Sequence, residues 1–225
     1  MAKLYFVATP IGNSQDLTFR AKSTLEQVAY IACEDTRRIR KLLAIYAIKG
    51  KKLLVHHAHT ERQSTPGIIK LVEQGFDVAL VSDAGMPGIA DPGFLLMRAA
   101  LEKNLAVEII PGVSALTTAV VWANLDQFFT FLGFLPARKI KRQNQLKKLP
   151  SGTFVVYVPP HQLLATLEDL ASVFQNQVEV FVGKELTKQF ETHWRGNPMQ
   201  IKSALDPQKI KGEFTLVFKV KSQRA

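Results

Sequence analysis

Two carboxylates, three glycines and two prolines crowd into Asp83–Gly93, the run D-A-G-M-P-G-I-A-D-P-G, directly after the short apolar stretch Val78 to Ser82. A carboxylate can hold a hydroxyl or a cationic group. Glycine lets a ligand approach the backbone, and proline stiffens a loop before any ligand arrives. In open α/β sheets, ligands bind beyond the carboxyl ends of strands. Two further strand ends are likewise followed by Pro and Gly: Val7-Ala8-Thr9-Pro10-Ile11-Gly12-Asn13 and Ile109-Ile110-Pro111-Gly112-Val113-Ser114-Ala115. Gly/Pro loops also serve as plain connectors, but three of them at strand ends point to one shared crevice.

Other reactive side chains fall into three groups. Glu34-Asp35-Thr36-Arg37-Arg38 follows the second apolar run, where its carboxylates and arginines suit a ribose and a phosphate. Asp35 or Thr36 equally suits a helix cap. Arg138-Lys139-Ile140-Lys141-Arg142, with Lys147 and Lys148, puts six cations in eleven residues, a run that suits either a solvated helix face or a phosphate backbone. In the run His56-His57-Ala58-His59, His57 and His59 would share one face of a strand, but no third ligand is near, so no metal is expected and a hydrogen-bonded or substrate-facing role is favoured. Cys33 sits in the apolar run Tyr30-Ile31-Ala32-Cys33 and is expected to pack rather than react. No G-x-G-x-x-G follows the first strand, and no Walker loop, zinc-spaced cysteine set or serine elbow is present.

Strands and helices must position these groups. Apolar runs predict strands at residues 4–8, 30–33, 53–56, 78–82 and 106–110. Helical periodicity lies between them: residues 18–28, a basic helix to about Ala44, a helix capped by Ser64 or Thr65 with Pro66 in its first turn and Gly75 at its end, and residues 94–103. A helix over 113–123 follows the last of these strands. Strict β-α alternation predicts a mainly parallel sheet. The pattern changes near Asn124. Strands are expected at 128–134, 153–158, 178–183, 190–194 and 214–220, and helices at 162–174 and 198–205, with a basic helix or loop over 138–148. Adjacent strands without a helix between them predict a mixed second sheet. Two α/β domains follow, 1–123 and 124–225.

The chain has 225 residues, 47% of them hydrophobic, enough for one large or two small cores. No apolar run is as long as a membrane span and the first residues lack a signal peptide's apolar stretch. With a single cysteine, these features favour a cytoplasmic protein. The net charge is +10, unevenly placed: residues 1–60 carry 10 basic and 4 acidic groups, 61–125 carry 4 and 7, and 126–225 carry 15 and 8. A basic rim around a slightly acidic middle suits a polyanionic partner.

Taken together, these segments resemble the tetrapyrrole-methylase-like (class III) S-adenosylmethionine methyltransferases. The marks are Thr9-Pro10-Ile11-Gly12-Asn13 with Asp16-Leu17-Thr18 and Arg20-Ala21, Cys33 to Arg37, Ser82 to Gly93, Pro111 to Ala115, Phe131 to Pro136, Lys184 to Lys188, and Gly212-Glu213-Phe214. They are most similar to the branch that methylates the ribose 2′-oxygen of a decoding-centre cytidine in 16S ribosomal RNA. Thr60 departs from the pattern, in which Asn is expected between His59 and Glu61.

The resemblance implies two α/β domains with S-adenosylmethionine in the cleft between them, usually in a homodimer. It implies cofactor contacts at Pro10, Ser82, Asp83, Ala84, Met86, Ser114 and Ala115, and in the second domain at Leu132, Tyr157, Val158 and Leu186. The basic flanks supply RNA-binding candidates: Arg37, Arg38, Arg40, Lys41, Arg138, Lys139, Lys141 and Arg142. Methyl transfer from a sulfonium is an in-line displacement that needs no metal, but a ribose hydroxyl is a weak acid and gains from a base. Glu34, Asp35, Glu185 and Lys188 are the candidates, with no choice among them at this level. Two other readings stay open: a tetrapyrrole methyltransferase, against which the basic flanks and the glycine-poor first loop speak, and a non-catalytic RNA-binding protein on the same scaffold.

Overall fold

The computed structural model describes residues 2–222, and these divide into two compact units at Ser114/Ala115. The first unit is built on five strands: β1 (Lys3–Val7), β2 (Tyr30–Cys33), β3 (Lys52–Val55), β4 (Val78–Val81) and β5 (Ala106–Ile110). All pair in parallel, in the order β3-β2-β4-β1-β5. The central strand β4 is buried on both faces, which is why its sequence is a continuous apolar run rather than an alternation. β4, β1 and β5 are neighbours, so the three Pro/Gly strand ends lie side by side, as their sequences predict.

Helices α1 (Phe19–Gln27), α2 (Thr36–Ile45), α3 (Glu61–Glu73) and α4 (Phe94–Glu102) connect these strands. Thr18 opens α1 by accepting the Ala21 amide, and Asp35 opens α2 by accepting the Arg37 amide, caps worth about 1 kcal/mol each. One face of the sheet packs Ala21, Leu25, Ile39 and Leu43 of α1 and α2 against Val7, Ile31, Ala79 and Val81. The other packs Ile68, Ile69, Val72 and Leu96 of α3 and α4 against Leu4, Phe6, Ala32 and Leu80. Helix α3 differs from expectation: it begins at Glu61, so Pro66 is interior and Ser64 is no cap. Instead, the Ser64 hydroxyl donates back to the Thr60 carbonyl at 2.9 Å. The early start is fixed by Glu61, whose carboxylate has partners far along the chain.

The second unit holds α5 (Ala115–Ala123), β6 (Thr130–Phe134), α6 (Lys139–Leu146), β7 (Gly152–Val158), α7 (Leu163–Phe174), β8 (Val178–Lys184), β9 (Thr192–Gly196), α8 (Pro198–Ala204) and β10 (Phe214–Val220). Its sheet order is β6-β7-β10-β8-β9, with β6 and β7 parallel and the other pairs antiparallel, the mixed sheet expected. The units divide ahead of the boundary expected near Asn124, because α5 packs on β10 and β7 and its last carbonyls accept from Arg195 of β9. β9 starts two residues later than the apolar run suggests; Thr192 pairs with Lys184 and Gly196 with Val180. Among the described residues, no helix is long and apolar enough to cross a membrane.

Candidate active site

The ends of β1 and β4 are tied together by their own backbone. The Thr9 amide donates to the Gly85 carbonyl at 2.9 Å and the Gly85 amide returns to the Thr9 carbonyl at 3.0 Å. The Thr9 hydroxyl donates to the Ser82 carbonyl at 3.1 Å, and the buried Ser82 hydroxyl donates to the Gly85 carbonyl at 3.0 Å. On the other side of β1, the Ala8 amide donates to the Ile110 carbonyl at 3.0 Å. A side chain at Gly112 would place its first carbon 2.8 Å from that of Ala8, so glycine is what lets the third strand end close in. Pro10 is half-buried beside this junction and Met86 packs against the core beneath it. The Ala84 carbonyl accepts weakly from Ser82 Oγ at 3.3 Å. Ser114 closes the first unit, and Ala115 opens α5.

The far end of the Asp83 loop is held by a residue that sequence reasoning missed. Glu61 Oε1 accepts the Gly93 amide at 2.8 Å and the Leu95 amide at 2.9 Å, so a buried carboxylate caps the first turn of α4. Gly93 adopts φ +137°, and a side chain there would meet Leu80 at 2.9 Å and Phe6 at 3.1 Å. The fully buried His56 stands behind Glu61, with Nε2 3.8 Å from Oε1 and Nδ1 2.7 Å from Ser64 Oγ. Burial holds the His56 pKa below its ordinary value, so the imidazole is neutral near pH 7. The only signal in sequence was a glutamate just past the histidine run.

The acidic groups of the first unit meet where β2 and β4 end. Asp83 Oδ1 accepts the Asp35 amide at 3.1 Å, and Oδ2 lies 3.4 Å from Arg38 Nε. Asp35 is engaged by Arg37, with Nη2 at 2.7 Å and Nε at 3.0 Å; those bonds hold its carboxyl well below the usual range. Glu34 behaves oppositely. It is half-buried, and burial, then the nearby Asp83 charge, push its pKa up against the pull of Arg38. Cys33 is fully buried with its thiol pushed up to about 12 by burial, so it is packing and not a nucleophile.

In the second unit, β6, β7 and β8 end at one sheet edge, where β9 and β10 begin. Gly133 takes φ +66° at an irregularity in β6, beside Leu132. Tyr157 packs edge-on against Phe131, with ring centres 5.0 Å apart. Val158 is buried. Gly183 allows Leu186 to fold back over β8, since a side chain there would lie 2.9 Å from Leu186 Cδ2. Glu185 and Thr187 both hold positive φ, 53° and 67°. Glu185 Oε1 accepts Lys188 Nζ and the Glu213 amide, each at 2.8 Å, and Lys188 also reaches Glu213 Oε2 at 3.1 Å. Burial opposes both charges, but these contacts win: Glu185 is held below its usual pKa and Lys188 above it. Lys188 is therefore a protonated cation near neutral pH.

Among the RNA-binding candidates, Arg37, Arg38, Arg40, Lys41, Arg138, Lys139 and Lys141 are exposed. Arg142 is not. It is 2% exposed, with Nη2 2.6 Å and Nε 2.7 Å from Asp169 Oδ2, while Nη1 donates to the Pro136 and Ala137 carbonyls. The expectation that it contacts RNA is corrected: its helical spacing turns it inward, where a buried carboxylate requires a partner. His57 Nδ1 lies 3.2 Å from Thr60 Oγ1 and its ring stands edge-on to His59.

Each unit, taken by itself, offers groups that suit one part of S-adenosylmethionine. Apolar and aromatic side chains at the second unit's sheet edge suit an adenine. Carboxylates and backbone groups at the first unit's strand ends suit ribose hydroxyls and an ammonium. The profile of the Tetrapyrrole (Corrin/Porphyrin) Methylases matches residues 3–201. The chain thus belongs to the tetrapyrrole methylase family, and within it to the ribosomal RNA small subunit methyltransferase I group. It is 50% identical over 222 residues to "Ribosomal RNA small subunit methyltransferase I" of Mycoplasmopsis pulmonis, covering 98% of this chain and 99% of that protein. It is 43% identical to the protein of the same name from Hydrogenobaculum sp., over 96% of this chain and 94% of that one. Among solved structures, uroporphyrin-III-C-methyltransferase from Thermus thermophilus shares the fold, with a TM-score of 0.71 at 20% identity over 97% of this chain and 94% of that one.

Proposed function

We propose that this chain methylates the ribose 2′-hydroxyl of a cytidine in the decoding centre of 16S ribosomal RNA, drawing the methyl from S-adenosylmethionine. Methylation of small-subunit ribosomal RNA rests on the full-length likeness to proteins of that name. The reading of the site is supported above all by one observation: the joined Thr9 and Gly85 strand ends, with Glu34 and Asp83 at their rim. When bound, S-adenosylmethionine supplies an electrophilic methyl group on a sulfonium. The protein's tasks are then to place a ribose oxygen about 3 Å from that carbon, exclude water and take up a proton. Cofactor contacts are assigned to Pro10, Ser82, Asp83, Ala84, Met86, Ser114, Ala115, Leu132, Tyr157, Val158 and Leu186. For Ser82, backbone groups serve, since its hydroxyl is used inside the loop.

Exposed cations on α2 and at the start of α6 carry the RNA: Arg37, Arg38, Arg40 and Lys41, with Arg138, Lys139 and Lys141. The substrate is 16S ribosomal RNA, free or within the small subunit, and such a substrate implies a cytoplasmic enzyme. A homodimer is favoured by the family and by Val121 and Trp122, which leave an apolar face of α5 exposed. The test is to incubate the purified protein with small subunits, or free 16S RNA, and methyl-labelled S-adenosylmethionine, then map the label. One 2′-O-methylcytidine in the decoding region is expected. Label on a base, or none on RNA beside a labelled porphyrinoid, would sink the proposal.

A further inference from the structure

Resting on the reading above, we infer that Glu34 is the general base that accepts the ribose hydroxyl proton, and that Asp35, Glu185 and Lys188 are not. The four candidates differ in what already occupies them. Both Asp35 oxygens face Arg37. Glu185 is taken by Lys188 and the Glu213 amide, on backbone bent to positive φ. Lys188 lies between two carboxylates, which keep its proton in place. Among the described residues, the Glu34 carboxylate makes no hydrogen bond and no ion pair within 4 Å.

Position supports the same choice. Glu34 is the first residue beyond β2, and the Asp83 loop leaves β4, the adjacent strand. Its carboxylate thus stands at the rim of the strand ends assigned to the cofactor. The charged groups facing it are Asp83, from the loop after β4, and Arg38, from α2. Arg38 lies 3.4 Å from Asp83, so part of its positive charge is spent there. Half-burial and the Asp83 charge both raise the Glu34 pKa, which makes it a stronger base than a free glutamate.

The step balances. The hydroxyl proton passes to Glu34, the oxygen forms a new bond to the methyl carbon, and the carbon–sulfur bond breaks with its electron pair kept by sulfur. A carboxylate and a sulfonium give a neutral carboxylic acid and a thioether, and Glu34 then releases its proton to water.

The test compares wild type with Glu34→Gln, which keeps the shape and removes the basicity. Four quantities are read: cofactor affinity by calorimetry, RNA affinity, single-turnover methylation against pH, and the Glu34 carboxyl titration by carbon NMR. In the variant, turnover should fall by roughly 100- to 10,000-fold, the usual contribution of a positioned base. Both affinities should stay within about threefold, since a binding role would cost more. The wild-type rate should rise with pH and level off above the Glu34 pKa that NMR reports; the variant should lack that limb. Three results would overturn the assignment: turnover within threefold of wild type, loss of cofactor affinity in step with turnover, or a Glu34 carboxyl titrating at or below an ordinary glutamate. The NMR arm uses wild-type protein and stands even if the variant fails to fold. A wild type that binds cofactor yet transfers no methyl to RNA fails the underlying reading, and the assignment falls with it.

Discussion

Arg142→Ala should destabilise the second unit rather than weaken RNA binding. The guanidinium spans Asp169 Oδ2 at 2.6 and 2.7 Å and two carbonyls at 3.1 and 3.2 Å. Both charged side chains are almost fully buried, 2% and 1% exposed. Removing Arg142 leaves the Asp169 carboxylate in the core with only Gln143 Nε2, at 2.7 Å, for relief. Breaking one half of a buried pair costs about 3–5 kcal/mol. For a unit of this size, each kcal/mol moves the melting temperature by about 4 °C, so the second unit should melt roughly 12–20 °C lower. Calorimetric scans of the whole chain would resolve this as an early transition, with the first unit's transition unmoved. Replacing both partners, Arg142→Met with Asp169→Leu, should recover most of the loss, because no charge is then stranded. RNA affinity of folded Arg142→Ala, measured well below its transition, should match wild type. An unmoved melt combined with weaker RNA binding would refute the reasoning and return Arg142 to the RNA surface.

Three other expectations concern the site. Replacing Arg138, Lys139 and Lys141 together by Ala should weaken RNA binding and flatten its salt dependence by about two log units per log of salt, at about 0.7 per lost contact; parallel log–log lines would mean a solvated face. Asp83→Ala should cost cofactor binding roughly 1.5–3 kcal/mol in a chain that stays folded, as calorimetry would detect; unchanged affinity would remove Asp83 from the cofactor site. The stability that Glu185 contributes, read as wild type minus Glu185→Gln in urea melts, should be present above the ordinary glutamate pKa. It should be lost as pH falls through the lower folded value, because Lys188 and the Glu213 amide favour the charged form. A difference that grows on acidification would contradict that sign.

The strands were legible because local composition decides them: β2, β5 and β10 fall on the apolar runs that predict them, and the loss of β-α alternation after Asn124 gave the mixed second sheet. What sequence could not supply depends on contacts far along the chain. Helix α3 starts at Glu61 because that carboxylate reaches Gly93 and Leu95. Pro66, a start signal in sequence, sits inside the helix instead. Arg142 reads as one more cation in a basic run, and the partner that lets it stay buried, Asp169 on α7, lies far along the chain. Glu34, Asp35, Glu185 and Lys188 are equivalent as letters; what separates them is which ones are already hydrogen-bonded.

The mutual pairing of Thr9 with Gly85, with Glu61 fastening Gly93, bears on affinity as well as on shape. Ordering a residue's backbone costs about 1–2 kcal/mol. If the eleven residues Asp83–Gly93 were free before binding, fixing them would take more than 10 kcal/mol, while a micromolar ligand yields only about 8. Such a loop could not be assembled by its ligand at that affinity. The folding of the sheet settles its conformation in advance, and the cofactor's contacts remain available to hold the cofactor.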